Sequence, residues 1–187
     1  MSLRSNLEVD ERLRLFVALR LPETVVEALV TWQEDELAGA ESVRILPRDH
    51  LHITLAFLGS RPASELAAIA VALRDTAAGA SRPALWAHHY RETARVGMVA
   101  LVEHEPRHAH VLAGRLMLRL EDLGVYRREH RSWLPHVTVA RFRKPPRLSP
   151  ILPDLGTLSP SEAALYSSVL RPSGAQYEVL ESVAVGG

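Results

Sequence analysis

LHITLAFL at Leu51–Leu58 and LPHVTVARF at Leu134–Phe142 share one pattern, a His-x-Thr triplet followed by an apolar residue. Both stretches are rich in apolar and β-branched residues, which is typical of strands. On a strand, residues i and i+2 point to the same face. Each stretch therefore predicts a strand from which a histidine and a threonine project together while their neighbours point into a core.

The composition is that of an ordinary folded domain. The chain has 187 residues, of which 47% are hydrophobic and 24% charged. It contains no cysteine, which excludes disulfides, a thiol nucleophile and zinc sites built on cysteine. The polar residues 1–12 lack the apolar core of a signal peptide, and no run approaches the roughly 18 apolar residues of a membrane span. We expect a cytoplasmic protein with no membrane contact.

Hydrophobic periodicity predicts strands and three helices around the two His-x-Thr stretches. The expected strands are 14–20, 43–46, 51–58 closed by Gly59, 83–90, 95–103, 134–142, 163–170 and 175–185, with a hairpin turn at 171–174. The expected helices are 22–37, 66–77 and 106–123. This order indicates an α+β fold with mainly antiparallel sheet. We expect residues 1–12 to be a flexible N-terminus and residues 13–187 a single domain of two lobes, each lending one motif strand to a shared cleft.

The charge of the chain is unevenly distributed, although its net charge is zero. Between Gly124 and Leu148, seven basic residues are opposed by Glu129 alone, a local charge of +6. A basic field beside two histidines suits a phosphate-bearing ligand, and the alternative is a set of solvated turns. The basic residues are Arg127, Arg128, Arg131, Arg141, Arg143, Lys144 and Arg147.

Two histidines can supply the general acid and the general base of one reaction, because an unperturbed imidazole titrates near pH 6.5. A threonine two residues further on adds a hydroxyl that can donate to a phosphoryl oxygen. Donors aimed at developing negative charge are a main form of catalysis in phosphoryl transfer. The two motifs together fit the opening of a 2′,3′-cyclic phosphate with no metal and no cofactor. The alternative is that each histidine is a hydrogen-bonded strand residue and each threonine serves β propensity.

Other candidate sites are weaker. His104, His108 and His110, with His88 and His89 nearby, could form a metal site only if a helix begins before Pro106, so we expect no metal. Ser167 and Ser168 lie in a predicted strand without the Gly-x-Ser-x-Gly elbow of many serine hydrolases. The scattered glycines form no phosphate-binding loop of the P-loop kind.

Five blocks, taken in order, resemble the RNA 2′,3′-cyclic phosphodiesterases, the LigT-like group of the 2H phosphoesterases. They are RLFVAL at 14–19 with LPE at 21–23, Val43-Arg44 with Leu46-Pro47, LHITLAFLG at 51–59, LPHVTVAR at 134–141, and LYSSVL at 165–170 with Tyr177. The resemblance implies a bilobal fold with pseudo-twofold symmetry and a metal-free site in the central cleft. It further implies hydrolysis of RNA 2′,3′-cyclic phosphate ends to 2′-phosphate ends, together with reversible 2′-5′ RNA ligation.

The same resemblance implies roles for individual residues. His52 would be the proton donor and His136 the proton acceptor, while Thr54 and Thr138 would hold phosphoryl oxygens. Arg141 matches an arginine of the family and would contact phosphate. Its odd offset from His136 would turn it to the opposite strand face, as a solvated arginine, unless a bulge or strand end re-aims it.

The partner expected from these motifs is RNA with a 2′,3′-cyclic phosphate end, bound by a monomer. Two alternatives stay open. One is a 2H phosphoesterase that acts on a small cyclic nucleotide, such as an ADP-ribose cyclic phosphate, or on a 2′-5′ oligonucleotide. The other is a non-catalytic protein that binds RNA ends without turnover.

Overall fold

The computed structural model describes residues 11–171 and 174–186, whose chain alternates strands with helices. The helices are α1 (Glu23–Glu36), α2 (Leu66–Ala78) and α3 (His108–Asp122). The strands are β1 (Arg12–Arg20), β2 (Val43–Ile45), β3 (His52–Pro62), β4 (Trp86–Glu92), β5 (Val96–Val102), β6 (His136–Phe142), β7 (Glu162–Arg171) and β8 (Gly174–Ala184). Single 3-10 turns at Arg48–His50 and Ala63–Glu65 precede β3 and α2.

The strands form one sheet in the order β4-β5-β6-β3-β1-β7-β8, with β2 added to β6. Every pairing between these strands is antiparallel. The two motif strands, β3 and β6, meet in the middle through the pair Ile53 and Val137. The predicted α+β class with a mainly antiparallel sheet is therefore confirmed.

The main core lies on one face of this sheet. Ile53 and Val137 are fully buried there and belong to one hydrophobic cluster with Leu29 of α1, Leu73 of α2 and Leu116 of α3. Because neighbours on a strand point to opposite faces, the motif histidines and threonines project from the face opposite to the one on which α1, α2 and α3 pack.

The sheet curls, so that its far edge returns to the opposite half. A Cβ on Gly174, the first residue of β8, would lie 3.6 Å from Nη1 of Arg44 on β2. His50, just before β3, makes a hydrogen bond to the backbone of Ala175, which also belongs to β8. One end of the space between the half-sheets is thus closed by contacts between the β7–β8 hairpin and the β2–β3 segment.

Element bounds differ from expectation mainly at β3, which does not end at Gly59 but continues to Pro62. Gly59 has φ +69° and lies where the register against β1 shifts by one residue. Gly59 is therefore part of a bulge inside the strand rather than a strand end, because glycine adopts this backbone conformation without a steric penalty.

Two expectations fall wholly or partly outside the described residues. They are the flexible N-terminus, of which residues 1–10 are outside, and the hairpin turn, whose central residues 172 and 173 are outside. In the part of the chain that is described, no helix has the length and apolar character needed to cross a membrane.

Candidate active site

The pairing of β3 with β6 gives the two motifs a local twofold relation. Ile53 pairs with Val137, the middle residues of the two triplets. In this antiparallel register His52 lies opposite Thr138, and Thr54 lies opposite His136. All four side chains are half-buried, whereas Ile53 and Val137 are fully buried. The structure thus brings the four predicted site residues together on one face, with the histidines as diagonal neighbours about 7–8 Å apart in an ideal ladder.

Each motif histidine is held by the backbone carbonyl two residues before it. Nδ1 of His136 lies 2.8 Å from the carbonyl oxygen of Leu134, and the ring of His52 bonds the backbone of His50. A carbonyl oxygen only accepts hydrogen bonds, so Nδ1 of His136 carries a proton. Its Nε2 is then the nitrogen left to exchange a proton with a ligand.

Aromatic rings enclose His52. Phe16 stacks on its imidazole at a centroid distance of 5.0 Å, Tyr177 meets it edge-on at 5.7 Å, and Tyr166 lies at 6.1 Å. Burial, followed by the charges of His50 and His136, lowers the pKa of His52 to about 4. The His52 imidazole is therefore neutral near pH 7 in the unliganded protein.

His136 stands in different surroundings. Its cross-strand neighbour on β5 is Ala100, and that of Thr138 is Met98. In the described residues, no aromatic ring contact involves the imidazole of His136. The two histidines thus share their backbone geometry but not their environment.

A bulge in each motif strand changes which face the following residues take. Thr138 pairs with Met98 and Ala140 with Gly97, which leaves Val139 as the extra residue. Val139 and Ala140 are both fully buried, and Arg141 is exposed. The bulge therefore turns Arg141 to the face of His136 and Thr138, despite its odd offset.

The first motif strand contains the same bulge. Thr54 pairs with Ala18 and Ala56 with Val17, so Leu55 is the extra residue. Phe57 takes the position that corresponds to Arg141, and 51% of its surface is exposed.

Comparisons with known proteins agree with this geometry. A model of the 2′-5′ RNA ligase superfamily matches residues 21–169. The chain belongs to the 2′-5′ RNA ligase superfamily. An RNA 2′,3′-cyclic phosphodiesterase of Thermus thermophilus is 31% identical to it over 193 residues, which cover 94% of this chain and 91% of the relative.

Two solved structures share the fold of this superfamily member. The crystal structure of TT0787 from Thermus thermophilus has a TM-score of 0.79 at 32% identity and covers 93% of this chain and 98% of its own. Escherichia coli LigT, solved with 3′-AMP, has a TM-score of 0.76 at 24% identity and covers 95% of this chain and 100% of its own. The family resemblance of the five sequence blocks is thereby confirmed.

A buried glutamine braces the second motif strand of this superfamily member. Nε2 of Gln33, on α1, lies 2.7 Å from the carbonyl oxygen of Val139 and 3.2 Å from that of Leu46. The backbone N–H of Leu46 also donates to the Val139 carbonyl, at 2.9 Å. Gln33 therefore ties the residue after β2 to the bulged residue of β6.

A tryptophan braces the first motif strand. Nε1 of Trp133 donates to the carbonyl oxygen of Thr54 at 3.0 Å. The ring of His110 packs edge-on against Trp133, and its Nδ1 lies 2.9 Å from Oε2 of the buried Glu103. Glu103 also accepts the backbone N–H groups of Ala109 and His110, and so caps the start of α3.

The histidines considered for a metal site have other neighbours. His104 lies beside Trp86, His88 and His89 contact each other, and His110 bonds Glu103. Within the described residues no group of three or more metal-ligating side chains occurs.

The predicted basic block divides into two parts. Arg128 and Arg131 form exposed ion pairs with Glu121 and Glu129, as expected of solvated turns. Arg141 lies on the face of His136 and Thr138 instead, because of the bulge at Val139. Burial lowers the pKa of His50, and the charges of Arg141 and Arg44 lower it further. The charge run is therefore not one surface.

Several residues around the site were not singled out from the sequence. The aromatic set of Phe16, Tyr166 and Tyr177 lies in blocks that carry the family resemblance, but the sequence gives no sign that the rings meet. His50 could have been noticed as a histidine two residues before His52, although it lies in the 3-10 turn before β3. Gln33 was expected on the apolar face of its helix, without a sign of its partners 13 and 106 residues away.

Proposed function

We propose that this protein hydrolyses RNA 2′,3′-cyclic phosphate ends to 2′-phosphate ends. The observation that carries the proposal is the pairing of Ile53 with Val137, whose antiparallel register makes the two histidines and the two threonines neighbours on one face of the sheet. Membership of the superfamily supports it, as does the 31% identical relative named RNA 2′,3′-cyclic phosphodiesterase.

The proposed reaction is an in-line displacement at phosphorus. His136 takes a proton from water through Nε2 while the water oxygen bonds to phosphorus. The bond from phosphorus to the 3′-oxygen breaks, and His52 gives that oxygen a proton. The products are a 2′-phosphate and a 3′-hydroxyl, so protons and charge balance without a cofactor. Thr54, Thr138 and Arg141 donate to the phosphoryl oxygens, where negative charge develops.

The lowered pKa of His52 bears on this assignment of roles. A proton donor must be protonated when substrate is bound, yet burial leaves His52 neutral in the free site. A bound phosphate carries negative charge, which raises the pKa of an adjacent imidazole. Substrate would thus help to protonate its own acid catalyst. The lowered pKa equally favours a second candidate, in which His52 is the base and His136 the acid.

Ligation of RNA through a 2′-5′ linkage is the same displacement at phosphorus, with a 5′-hydroxyl as the nucleophile in place of water. A site that stabilises the transition state for attack by water also stabilises it for attack by a 5′-hydroxyl in the same position, with the same leaving 3′-oxygen. We therefore include this activity in the proposal. All five proposed site residues come from one chain, so we expect a monomer to be sufficient.

The test is incubation of the purified protein, in EDTA, with a short RNA that ends in a 2′,3′-cyclic phosphate. We expect a 2′-phosphate product, identified by chromatography against synthetic 2′- and 3′-phosphate standards. A 3′-phosphate product would refute the choice of leaving oxygen. Binding without conversion would favour the non-catalytic RNA-end protein, and conversion of ADP-ribose cyclic phosphate alone would favour a small-nucleotide enzyme.

A further inference from the structure

Two arginines face each other across the β2–β6 pair. Arg44 and Arg141 are directly opposite in the register, and both are exposed. Like charges directly opposite each other destabilise a strand pair. In the described part of the chain neither guanidinium lies within ion-pair distance of a carboxylate, although other surface arginines form such pairs. The pair therefore has the charge of an anion site.

Gln33 of α1 fixes the position of the two strands that carry this arginine pair. Gln33 joins the carbonyl of Leu46, which follows β2, to that of Val139, the bulged residue of β6. Its Oε1 is buried with no hydrogen-bond partner, which costs free energy that an apolar side chain would not. Gln33 thus fixes β2, which bears Arg44, against the bulge that turns Arg141 outward.

Arg141 is one of the proposed site residues, and Arg44 lies beside it outside the reacting centre. Arg141 follows Thr138 by three residues, so their Cα atoms are at most about 10 Å apart. One or two nucleotides of a single strand span this distance. The charges of both arginines act on His50, which also stacks on Tyr177 at 4.2 Å. Arg44 reaches the β8 end of the cleft near Gly174. Arg44 and Arg141 therefore lie at the end of the cleft that the β7–β8 hairpin borders.

We propose that Arg44 and Arg141 together bind the internal phosphodiester that precedes the terminal nucleotide of the RNA. The inference rests on the proposed function and sharpens its substrate to an oligonucleotide rather than a cyclic mononucleotide. Guanidinium groups suit this ligand because their planar N–H donors match two phosphate oxygens at once. Arg141 lies between the two phosphates, and Arg44 contacts the internal one.

The experiment compares kcat/KM for three substrates. They are a 2′,3′-cyclic mononucleotide, a dinucleotide that ends in a 2′,3′-cyclic phosphate, and the same dinucleotide with an uncharged methylphosphonate linkage. The wild type should prefer the charged dinucleotide by about 10- to 100-fold over the other two, the range of one charge-assisted hydrogen-bonded contact. R44Q should lower this preference by a similar factor, and R44K should keep more of it.

R115Q is the matched control, because Arg115 is an exposed arginine of α3 and its loss changes the net charge equally. R115Q should leave the preference unchanged. Equal turnover of the charged and uncharged dinucleotides by the wild type would overturn the inference and leave the proposed function intact. An unchanged preference in R44Q, with a folded protein by circular dichroism, would also overturn it. Failure to hydrolyse any of the three would refute both.

Discussion

The two motif strands have the same backbone and different neighbours. In both, a histidine bonds the carbonyl two residues before it, a bulge follows three residues later, and the next outward residue is the fifth after the histidine. Aromatic rings surround His52, whereas the cross-strand neighbour of His136 is the small residue Ala100. The repeat therefore sets where the imidazoles stand, and the side chains that are not repeated make them chemically unequal.

The fifth residue shows the same contrast. Arg141 brings a positive charge to the second strand, whereas Phe57 brings an exposed ring to the first. The guanidinium of Arg14 lies over the Phe57 ring, 5.0 Å from its centroid. Such a contact is worth about 0.5–1 kcal/mol at an exposed site. An arginine is therefore present at both positions. On β6 it is the fifth residue itself, Arg141, whereas at Phe57 it is Arg14 of the neighbouring strand β1.

Exchange of either motif histidine for alanine should have the largest effect. His52→Ala and His136→Ala should each lower kcat by roughly 10²- to 10⁴-fold, the contribution of one general acid or base. The two variants should differ on a substrate whose 3′-oxygen is replaced by sulfur. A thiolate leaves without a proton, so the variant that lacks the acid should recover and the variant that lacks the base should not.

Recovery of His52→Ala on the sulfur substrate would support His52 as the acid, and recovery of His136→Ala would reverse the roles. Wild-type rates in both variants on the oxygen substrate would show that neither histidine takes part. Rates are followed by release of the thiol.

The threonines should contribute equally, because the twofold register gives them equivalent positions. Thr54→Val and Thr138→Val keep the shape of the side chain and remove its hydroxyl, at a cost of about 10- to 100-fold in kcat/KM. Thr→Ser at the same positions keeps the hydroxyl and should retain most activity. A loss confined to one of the two valine variants would break the proposed symmetry of phosphate binding.

The aromatic enclosure should control the acid side of the pH profile. The free site needs one neutral and one protonated imidazole, so kcat/KM should be bell-shaped, with a low-pH limb near the His52 pKa of about 4. Tyr177→Ala admits water, reduces the desolvation of the imidazolium and should raise that pKa by about one unit. The limb should then move to higher pH, while Tyr177→Phe, which keeps the ring, should leave it in place.

NMR titration of the His52 imidazole gives the same pKa without turnover. A His52 pKa that stays near 4 in Tyr177→Ala would show that the Tyr177 ring does not lower it.

The braces of the two strands should have the smallest effects. Trp133→Phe removes the bond to Thr54, and Gln33→Met removes the bonds to Val139 and Leu46. Each should lower the free energy of unfolding by about 1 kcal/mol, measured by urea denaturation. Gln33→Met should also raise KM through Arg141, whereas Trp133→Phe should not. Equal KM values in the two variants would show that Gln33 does not position the arginines.

Much of the fold could be predicted because its signals are local. Alternation in the motif strands and the apolar stripes of three helices lie within single elements, and Leu112, Leu116 and Leu120 are buried as expected. Leu123, placed on the same stripe, is 44% exposed, because α3 ends at Asp122. Gly59 lies in a bulge and not at a strand end because of the pairing of β3 with β1, and no local sequence pattern predicts that pairing.

The residues that lie together at the candidate site could be predicted from the sequence, but their asymmetry could not. His52, Thr54, His136 and Thr138 follow from a repeated tripeptide. The bulge at Val139 depends on β5 and on Gln33, and the low pKa of His52 depends on rings from β1, β7 and β8. These are contacts between residues that are distant in the sequence, so the hydrophobic periodicity of single elements does not predict them.

The paired bulges have a consequence for insertions and deletions. Removal of Val139 would restore simple alternation and leave Arg141 on the face of His136, whereas one residue inserted beside the retained bulge would turn Arg141 to the apolar core and Phe142 to water. Burial of an unpaired charge is among the most costly changes a core can undergo. A one-residue insertion between Thr138 and Arg141 should therefore be tolerated far less than deletion of Val139 or the same insertion in a surface loop. Between Thr138 and Arg141 the number of residues, together with the bulge, therefore decides which face the arginine takes.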